Sequence, residues 1–558
     1  MTDSGIGRRS ILKAGALLGA LALTGCTATP DGGSATASGT ATGTAAPGPH
    51  ATFTFATAAR PAGLDPALVT DTESHRVTRQ ILEGLVGVDP LTSAPAPLLA
   101  ESWTESEDGR SYTFTLRRGV TFHDGEPFNA EAVRANFERW YNLPISTRGA
   151  DNLTYKSVFN AHADKPELAL YKACTVLDEF TVRVDLSTRL TGFIPALSAP
   201  EFAMSSPKAL VEAGADALNT ELNGQKVSAY SLHPVGTGPF MFESWNGDEV
   251  RLTSYPDYWG EHGQIATLVF STLASPQSRL RALKHGDIDG YDLVTVADVD
   301  ELARNGQQIM QRDPYSVLYL GMNQAFPGME NPLMREAIAH AIDKGALLEG
   351  LFLHGTKQAN QFVPEKLGVT SGSVTNYGFD REKSKELLKE AGYDGAELPF
   401  YYPRHVTRAY LPNPERLYAA LSRQLTAVGL NIKPVPVEWS EDYLKVVQGS
   451  GDRALHLLGI SGTYEDPDNF VGTLFGSYNE EFAYDDTQLQ SKIDRARSLP
   501  SGPEHKEAYT AISDRISTRI PAVPLAYPIS ALACSPRVAS YPTSPVLSEV
   551  FNRIVLRD

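Results

Sequence analysis

Three carboxylates and one amide lie close together in the segment Glu465-Asp466-Pro467-Asp468-Asn469. Such a cluster could hold a cation, and paired carboxylates perform acid–base catalysis in glycoside hydrolysis. The flanking sequence supplies no nucleophile, and it lacks the alternating ligands and central glycine of a calcium loop. Because Asp-Pro is also common in turns, the segment favours a loop over a catalytic site.

Known enzyme signatures are absent elsewhere in the sequence. The twelve histidines lack the spacing of a zinc site, and no nucleophile-elbow or phosphate-binding glycine motif occurs. We therefore predict a binding protein with no catalytic residues, no metal site and no cofactor.

Arg408 is a candidate anion-binding residue. It lies just before a predicted helix start, where Asn413 would cap the first turn and Pro414 and Glu415 would follow. The N-terminus of a helix carries partial positive charge, and a guanidinium can hold a carboxylate through two parallel hydrogen bonds. The alternative is a solvated loop arginine with no ligand.

Aromatic side chains are frequent in the same part of the chain. Their flat apolar faces and polar tips suit a partly dry pocket for an organic ligand. Ordinary packing beneath loops is the alternative. The residues are Tyr401, Tyr402, Tyr410, Trp439 and Tyr464.

The elements that would position these residues form a predicted βαβαβ unit. We expect strands at 398–402, 431–437 and 454–460, with helices at 413–428 and 440–448 between them. Right-handed crossovers would make the three strands parallel and would gather their carboxyl ends, the edge where ligands bind in open α/β sheets. The segments at that edge are 404–411, 438–440 and 461–470. Earlier in the chain, a strand at 111–116 and a helix at 129–141 continue the same α/β pattern.

Composition limits the remaining possibilities. The chain has 558 residues, which exceeds the roughly 250 to 300 residues of one ordinary core, so two or three lobes are expected. Its net charge of −17 becomes −19 without residues 1–25, and such a chain repels nucleic acid. Three cysteines are too few for a disulfide framework, and Cys174 and Cys534 are expected to be buried thiols rather than a pair.

Residues 1–25 are typical of a bacterial export signal. Arg8 and Arg9 precede an apolar run, 14–23, that has about half of the roughly 20 residues a transmembrane helix needs. The run ends in Leu-Thr-Gly-Cys26, which resembles a lipobox, so Cys26 is predicted to carry the lipid of a mature lipoprotein. Residues 26–50 lack large apolar side chains and are predicted to be a flexible tether. The expected location is the outer face of the cytoplasmic membrane.

Four ordered motifs resemble the peptide and nickel solute-binding family of ATP-driven (ABC) importers, over a region from about Phe53 to the C-terminus. They are Thr113–Gly125 (TFTLRRGVTFHDG), Pro234–Phe240 (PVGTGPF), Tyr258–Gly260 (YWG) and Asp466–Phe470 (DPDNF). The resemblance implies an α/β clamshell of the periplasmic-binding-protein type, with two main lobes and an extra subdomain. It implies that lobe I comprises 51–88, 233–322 and 521–558, that lobe II comprises 89–232, and that lobe III comprises 323–520.

The same resemblance implies a mode of action. Solute would be enclosed between the lobes, hinge closure would mark the loaded state, and ABC permease subunits in the membrane would receive the ligand. The chain itself would perform no chemistry and would act as a monomer.

Dipeptide-binding members of the family offer a residue-level comparison. Arg408 in Arg408-Ala409-Tyr410-Leu411-Pro412-Asn413 resembles their carboxylate-binding arginine, and Thr70 resembles a pocket threonine. The aspartate that receives the peptide ammonium is replaced here by Thr463, unless Asp71 or Glu465 takes its role. A carboxylate-bearing, peptide-like ligand is therefore expected. The candidate ligand-binding residues are Arg408, Tyr410, Thr70, Asp71, Trp439, Thr463, Tyr464 and Glu465.

Other functions stay open at this point. A nickel receptor of the same family could take its metal through an organic chelator, and an oligosaccharide receptor would suit the aromatic residues. A secreted hydrolase that uses Glu465 and Asp466, or a signalling receptor, represents a different class of protein.

Overall fold

The computed structural model describes residues 50–148, 154–222, 224–369, 372–441, 443–449 and 451–557. The predicted export signal, the lipidation site Cys26 and nearly all of the predicted tether lie outside these residues. The described residues form one compact unit.

Twenty-three strands are assigned in the described residues. They are β1 (Ala51–Thr57), β2 (Val86–Val88), β3 (Pro95–Pro97), β4 (Ala100–Glu105), β5 (Ser111–Leu116), β6 (Tyr171–Asp178), β7 (Thr181–Leu186), β8 (Thr220–Leu222), β9 (Gln225–Val227), β10 (Phe240–Asn246), β11 (Glu249–Ser254), β12 (Ile265–Thr272), β13 (Gly290–Asp292), β14 (Gln308–Arg312), β15 (Ser316–Met322), β16 (Lys357–Gln358), β17 (Glu397–Arg404), β18 (Asn431–Glu438), β19 (Leu455–Ser461), β20 (Ala522–Tyr527), β21 (Ser530–Cys534), β22 (Val538–Ser540) and β23 (Val555–Leu556).

Sixteen α-helices lie between these strands in the same described ranges. They are α1 (Thr72–Ile81), α2 (Ala130–Asn142), α3 (Ile145–Arg148), α4 (Thr154–Phe159), α5 (Phe193–Ala196), α6 (Pro207–Ala213), α7 (Pro276–His285), α8 (Val296–Arg304), α9 (Pro332–His340), α10 (Lys344–Leu348), α11 (Arg381–Glu390), α12 (Pro414–Thr426), α13 (Tyr443–Gly449), α14 (Asp468–Phe475), α15 (Thr487–Ser498) and α16 (Pro503–Arg519). None of the described helices is both long and apolar enough to span a bilayer.

Three larger sheets organise the body. A seven-stranded sheet has the order β10-β11-β12-β1-β13-β21-β14, a six-stranded sheet the order β16-β20-β15-β19-β17-β18, and a four-stranded sheet the order β4-β5-β7-β6. Strand β15 is buried along its whole length. Its side chains alternate between two apolar cores because successive residues of a strand point to opposite faces, so the six-stranded sheet is covered on both sides.

The predicted βαβαβ unit is confirmed as β17-α12-β18-α13-β19. Strand β17 pairs in parallel with both β18 and β19. Helix α12 begins where expected, because the side chain of Asn413 accepts a hydrogen bond from the backbone N–H of Arg416 (3.0 Å). The helix expected at 440–448 is divided into a 3-10 turn at Trp439–Glu441 and the later helix α13.

The early elements also follow the sequence. Strand β5 spans the predicted 111–116, and the side chain of Asn129 caps α2 through the backbone N–H of Ala132 (3.0 Å). Cys174 and Cys534 are both buried free thiols, as expected.

Two short connections join the seven-stranded sheet to the six-stranded sheet. Strand β14 leads into β15 through residues 313–315, and β20 leads into β21 through residues 528–529. Strands β15 and β20, which fall within the limits expected for lobe I, pair instead in the six-stranded sheet with strands of the expected lobe III. The sheet to which a strand belongs is decided by where its backbone hydrogen bonds are satisfied, and not by the strands that are adjacent to it in sequence.

Two of the sequence motifs converge on one buried carboxylate. Glu83 accepts hydrogen bonds from Thr237 Oγ1 (2.8 Å), Tyr258 Oη (2.9 Å) and Trp259 Nε1 (2.8 Å). Burial raises the pKa of Glu83 to about 7, although the three donors act in the opposite direction. These motif residues therefore fix the end of α1 against the segment 234–260.

Candidate ligand-binding site

The candidate site lies where the three parallel strands β17, β18 and β19 end. Arg404 and Glu438 are register partners at the ends of β17 and β18, and Ser461 closes β19. The segments after these strands therefore start from one edge of the six-stranded sheet, as the sequence predicts.

Arg408 is held over an aromatic ring at this edge. Its guanidinium carbon lies 4.4 Å from the ring centroid of Trp439, a cation–π distance. The local loop is closed by two backbone hydrogen bonds of 3.0 Å between Arg408 and Leu411, one in each direction. The side chain is thus oriented by stacking and by a rigid turn.

The charge of Arg408 has no partner among the described residues. No ion pair or side-chain hydrogen bond reaches the guanidinium, and its Nε is buried without an acceptor. Arg408 also lines a small cavity of about 20 Å³, whose other walls include Val294 of the chain after β13 and Ala531 of β21. An oriented, unneutralised guanidinium between the two large sheets can bind a carboxylate through two hydrogen bonds.

Tyr410 plays a packing role beside Arg408. A side-chain carbon on Gly459 of β19 would overlap the Tyr410 ring and would lie 2.7 Å from the carbonyl oxygen of Val317. The ring therefore rests directly on the glycine, and burial raises the pKa of the phenol. Glycine at position 459 lets the loop after β17 lie flat on the sheet.

The loop after β19 is fixed by Asn469. Its side-chain oxygen accepts hydrogen bonds from the backbone N–H groups of Thr463 (2.7 Å) and Tyr464 (3.4 Å). Thr463 is partly exposed at the edge. Tyr464 is only 3 % exposed and belongs to the apolar core around the four-stranded sheet. Its ring therefore packs in that core, which corresponds to the packing alternative for this aromatic residue.

Glu465 differs from the other acidic residues of its segment. It is partly buried, and no ion pair or hydrogen bond to its carboxylate occurs among the described residues. Burial raises its pKa, while the charges of Lys366 and Lys506 act in the opposite direction. Glu465 is thus a free acceptor near the edge.

Asp466 and Asp468 are structural. The backbone N–H of Asp468 donates to Asp466 Oδ1 (2.7 Å), and Arg497 Nε lies 3.1 Å from Asp468 Oδ2. Arg497 also donates to Asn160 Oδ1 (2.8 Å) and to the carbonyl oxygens of Ser157 (3.0 Å) and Val158 (2.8 Å). The arginine therefore bridges helix α15 to the end of helix α4. Nothing in this cluster resembles a catalytic carboxylate pair with free access to substrate.

Thr70 and Asp71 lie directly before helix α1, which packs against the seven-stranded sheet. Asp71 caps the helix by accepting hydrogen bonds from the backbone N–H (2.9 Å) and hydroxyl (2.5 Å) of Ser74. Thr70 is exposed. Since both oxygens of Asp71 are engaged in capping, it is a poorer candidate than Glu465 to receive an ammonium group.

The described part of the chain contains no cluster of three or more His, Cys, Asp or Glu side chains placed to hold a metal. Two residues that sequence reasoning missed lie near the site. The role of Arg497 could not be predicted from the sequence, because its partners Asn160, Ser157 and Val158 lie at least 337 residues away. His405 adopts a positive φ of 54° after β17, and its Nδ1 lies 2.7 Å from Glu438 Oε2. Nothing in the sequence indicates that His405 adopts a positive φ.

Comparisons with known proteins identify relatives of the chain over most of its length. The heme-binding protein A of Haemophilus influenzae is 29% identical over 514 residues, which cover 90% of this chain and 91% of that protein. The dipeptide-binding protein of Escherichia coli K12 is 27% identical over 523 residues, covering 90% and 94%. The solved periplasmic binding protein DppA of Helicobacter pylori, in complex with the peptide STSA, matches with a TM-score of 0.79 at 26% identity, covering 91% of this chain and 98% of that one.

The predicted periplasmic-binding-protein fold is thereby confirmed. The family model of the bacterial extracellular solute-binding proteins, family 5 (middle region), matches residues 94–482, which is more than half of the chain. The chain therefore belongs to family 5 of the bacterial extracellular solute-binding proteins.

Proposed function

We propose that this protein is the solute-binding lipoprotein of an ABC importer and that it captures peptides or peptide-like molecules through their free carboxylate. The observation that carries the proposal is the guanidinium of Arg408, which is stacked on Trp439 and has no carboxylate partner in the described chain. The relatives named for dipeptide binding and the solved relative in complex with a peptide support this ligand class.

Capture proceeds by closure of one lobe onto another. The short connections at residues 313–315 and 528–529 are the proposed hinge, because they are the links between β14 and β15 and between β20 and β21. Lobe I would hold the seven-stranded sheet, lobe II the four-stranded sheet and lobe III the six-stranded sheet. Short crossing links can absorb the backbone rotation of a hinge while the sheets move as rigid bodies.

The ligand's amine, where it has one, is received by Glu465. This carboxylate lies two residues after Thr463, the position that lacks the family aspartate, and it is unpaired in the described chain. A buried ammonium without a carboxylate loses about 2–5 kcal/mol, or two to four decades of affinity. Peptides with a free amine should therefore bind more weakly to a Glu465→Gln variant, whereas N-acetylated peptides should not.

The decisive test is calorimetric titration of dipeptides and their C-terminal amides. An Arg408→Leu variant should lose about two to four decades of affinity for the free acids, and amidation should cost the unaltered protein a similar amount. Arg404→Met is the matched control, since Arg404 ends β17, just before the Arg408 loop, and already pairs with Glu438 (3.7 Å). Equal affinity of Arg408→Leu and the control for every ligand would refute the proposal.

Two further measurements address the ligand class and the anchor. Native mass spectrometry of the purified protein distinguishes a peptide from a nickel chelate or an oligosaccharide by mass, and it also reports whether the protein is a monomer. Lipidation at Cys26 predicts that the protein partitions with membranes and that a Cys26→Ala variant is released into the medium. Unchanged membrane partitioning of that variant would contradict the anchor.

A further inference from the structure

A second cavity, of about 240 Å³, lies away from Arg408. It is bounded by the C-terminal half of α1, the β2–β3 hairpin, the turn at 198–200 and the C-terminal segment 548–553. None of its lining residues belongs to the six-stranded sheet or to the edge where Arg408 lies. The cavity is thus separate from the proposed peptide site.

Arg79 enters this cavity from α1 without a partner. No ion pair or hydrogen bond reaches its side chain from any described residue, and burial lowers the pKa of its guanidinium to about 10. Glu201 and Glu549 lie close enough to oppose that shift. Glu549 is engaged by Arg312 (2.5 and 3.0 Å). Glu201 accepts from Thr154 Oγ1 (2.6 Å) through one oxygen, and its other oxygen, Oε2, is buried without a hydrogen bond among the described residues.

The preceding turn of the same helix shows the contrast. Arg76 lies three residues before Arg79 and forms ion pairs with Asp292 and with Glu73 (3.1 Å). Buried charges in proteins are normally paired in this way, because an uncompensated charge in a poorly solvated place is costly. A cation that lines a cavity and lacks such a partner is therefore a candidate for an anionic ligand.

The other charged groups of the cavity define the anion. Arg553 lines the cavity as a second guanidinium, exposed and without a partner among the described residues, whereas Asp89 lines it as a carboxylate. Hydrogen bonds from Thr92 keep the pKa of Asp89 below its ordinary value, so this carboxylate is ionised. The second acid, Glu83, has a pKa raised to about 7 by burial and is held by three donors. Two guanidinium groups, the chemistry that recognises a carboxylate, therefore share the cavity with acidic groups that would repel a more highly charged anion such as phosphate.

The walls and the volume define the size of the ligand. Leu82, Val86, Pro97 and Val550 supply apolar surface, and about 240 Å³ lies below the range of about 300–1,000 Å³ typical of pockets for drug-sized molecules. We propose that this cavity is a second binding site, which takes a small organic monocarboxylate on Arg79 and Arg553. The site is independent of the peptide site, so its occupancy does not require the function proposed for Arg408.

The probe for this site is 4-bromopyrazole-3-carboxylate, a small aromatic acid whose bromine can be located by anomalous diffraction. Soaked crystals should show the bromine in the cavity beside Arg79. In solution titrations, Arg79→Leu should weaken binding at least tenfold, and the neutral 4-bromopyrazole should bind the unaltered protein at least tenfold more weakly than the acid. The exposed surface variant Arg304→Leu should bind the probe like the unaltered protein.

Several outcomes would overturn the proposal. A bromine peak only at Arg408 or elsewhere, an affinity unchanged by Arg79→Leu, or equal binding of the acid and the neutral probe would each do so. Should Arg79→Leu fail to fold, Arg553→Glu provides the second variant. It reverses a charge on an exposed residue and should also weaken binding of the acid, and unchanged binding by a folded Arg553→Glu protein would count against the site.

Discussion

Asp466 predicts a specific dependence of stability on pH. The residue is 5 % exposed, and its pKa is raised to about 7, first by burial and then by the charge of Asp468. Glu465 acts in the same direction, whereas Arg497 opposes it. In the unfolded chain the carboxyl returns to its ordinary pKa of 3.8. The folded protein therefore binds a proton on Asp466 that the unfolded chain has already released near neutral pH.

The sign and size of the effect follow from proton linkage. The folded state binds more protons than the unfolded state between the two pKa values, so stability falls as pH rises from about 4 to about 7. Between pH 5 and pH 8 the loss from this group amounts to about 3 kcal/mol. The amide of Asp466→Asn is uncharged at every pH, like the protonated carboxyl. The substitution therefore removes the contribution of this group to the pH dependence of stability.

The assay is urea unfolding at pH 5, 6, 7 and 8, followed by tryptophan fluorescence. Between pH 5 and pH 8 the unfolding free energy of the unaltered protein should fall by about 3 kcal/mol more than that of Asp466→Asn. The variant should therefore be the more stable protein at pH 8. Asp452→Asn is the matched control, since Asp452 is exposed in the turn before β19 and is not among the charges that act on Asp466. An equal loss of unfolding free energy between pH 5 and pH 8, within about 0.5 kcal/mol, in the unaltered protein and Asp466→Asn would refute the reasoning.

Three further predictions concern stability. Gly459→Ala should lower the unfolding free energy by about 1–3 kcal/mol, because the added carbon meets the Tyr410 ring and the Val317 carbonyl. The control Gly449→Ala should be near neutral, because its added carbon meets open space. Equal melting temperatures of the two variants would contradict this packing. Arg497→Met should lower the unfolding free energy, measured by chemical unfolding, by about 3–5 kcal/mol, since it leaves Asp468 buried without its cation. The control Arg495→Met, at an exposed position, should lower it by less than about 1 kcal/mol. Similar losses in the two variants would argue against the Arg497 bridge. Glu83→Ala should destabilise the protein more than Glu83→Gln in thermal melts, because alanine removes the acceptor of three hydrogen bonds and leaves the buried Thr237 hydroxyl without its partner. The reverse order would contradict the network.

The elements around the candidate site could be predicted from local sequence. Asn413, Pro414 and Glu415 specify a helix start by hydrogen bonding and fixed backbone geometry within one turn, and the structure places α12 there. Parallel pairing of β17, β18 and β19 followed from the alternation of strands and helices. These properties depend on neighbours a few residues away.

Properties that depend on distant contacts could not be predicted. Tyr464 looked like a ligand-facing aromatic residue, but packing against the four-stranded sheet buries it. Arg497 bonds to Asn160, which is 337 residues away in the sequence, so no local pattern reveals the pair. The motifs at 234–240 and 258–260 suggested the family correctly, yet their contact with Glu83 became visible only in three dimensions.

The two buried thiols make the molecule its own reporter of partial opening. Cys174 lies on β6 of the four-stranded sheet and Cys534 on β21 of the seven-stranded sheet, and burial raises the pKa of both. A thiol with a raised pKa reacts with alkylating reagents only after its surroundings open, because the thiolate is the reactive form. The order in which the two cysteines become labelled under mild denaturation would therefore show which part of the body loosens first, with no engineered probe.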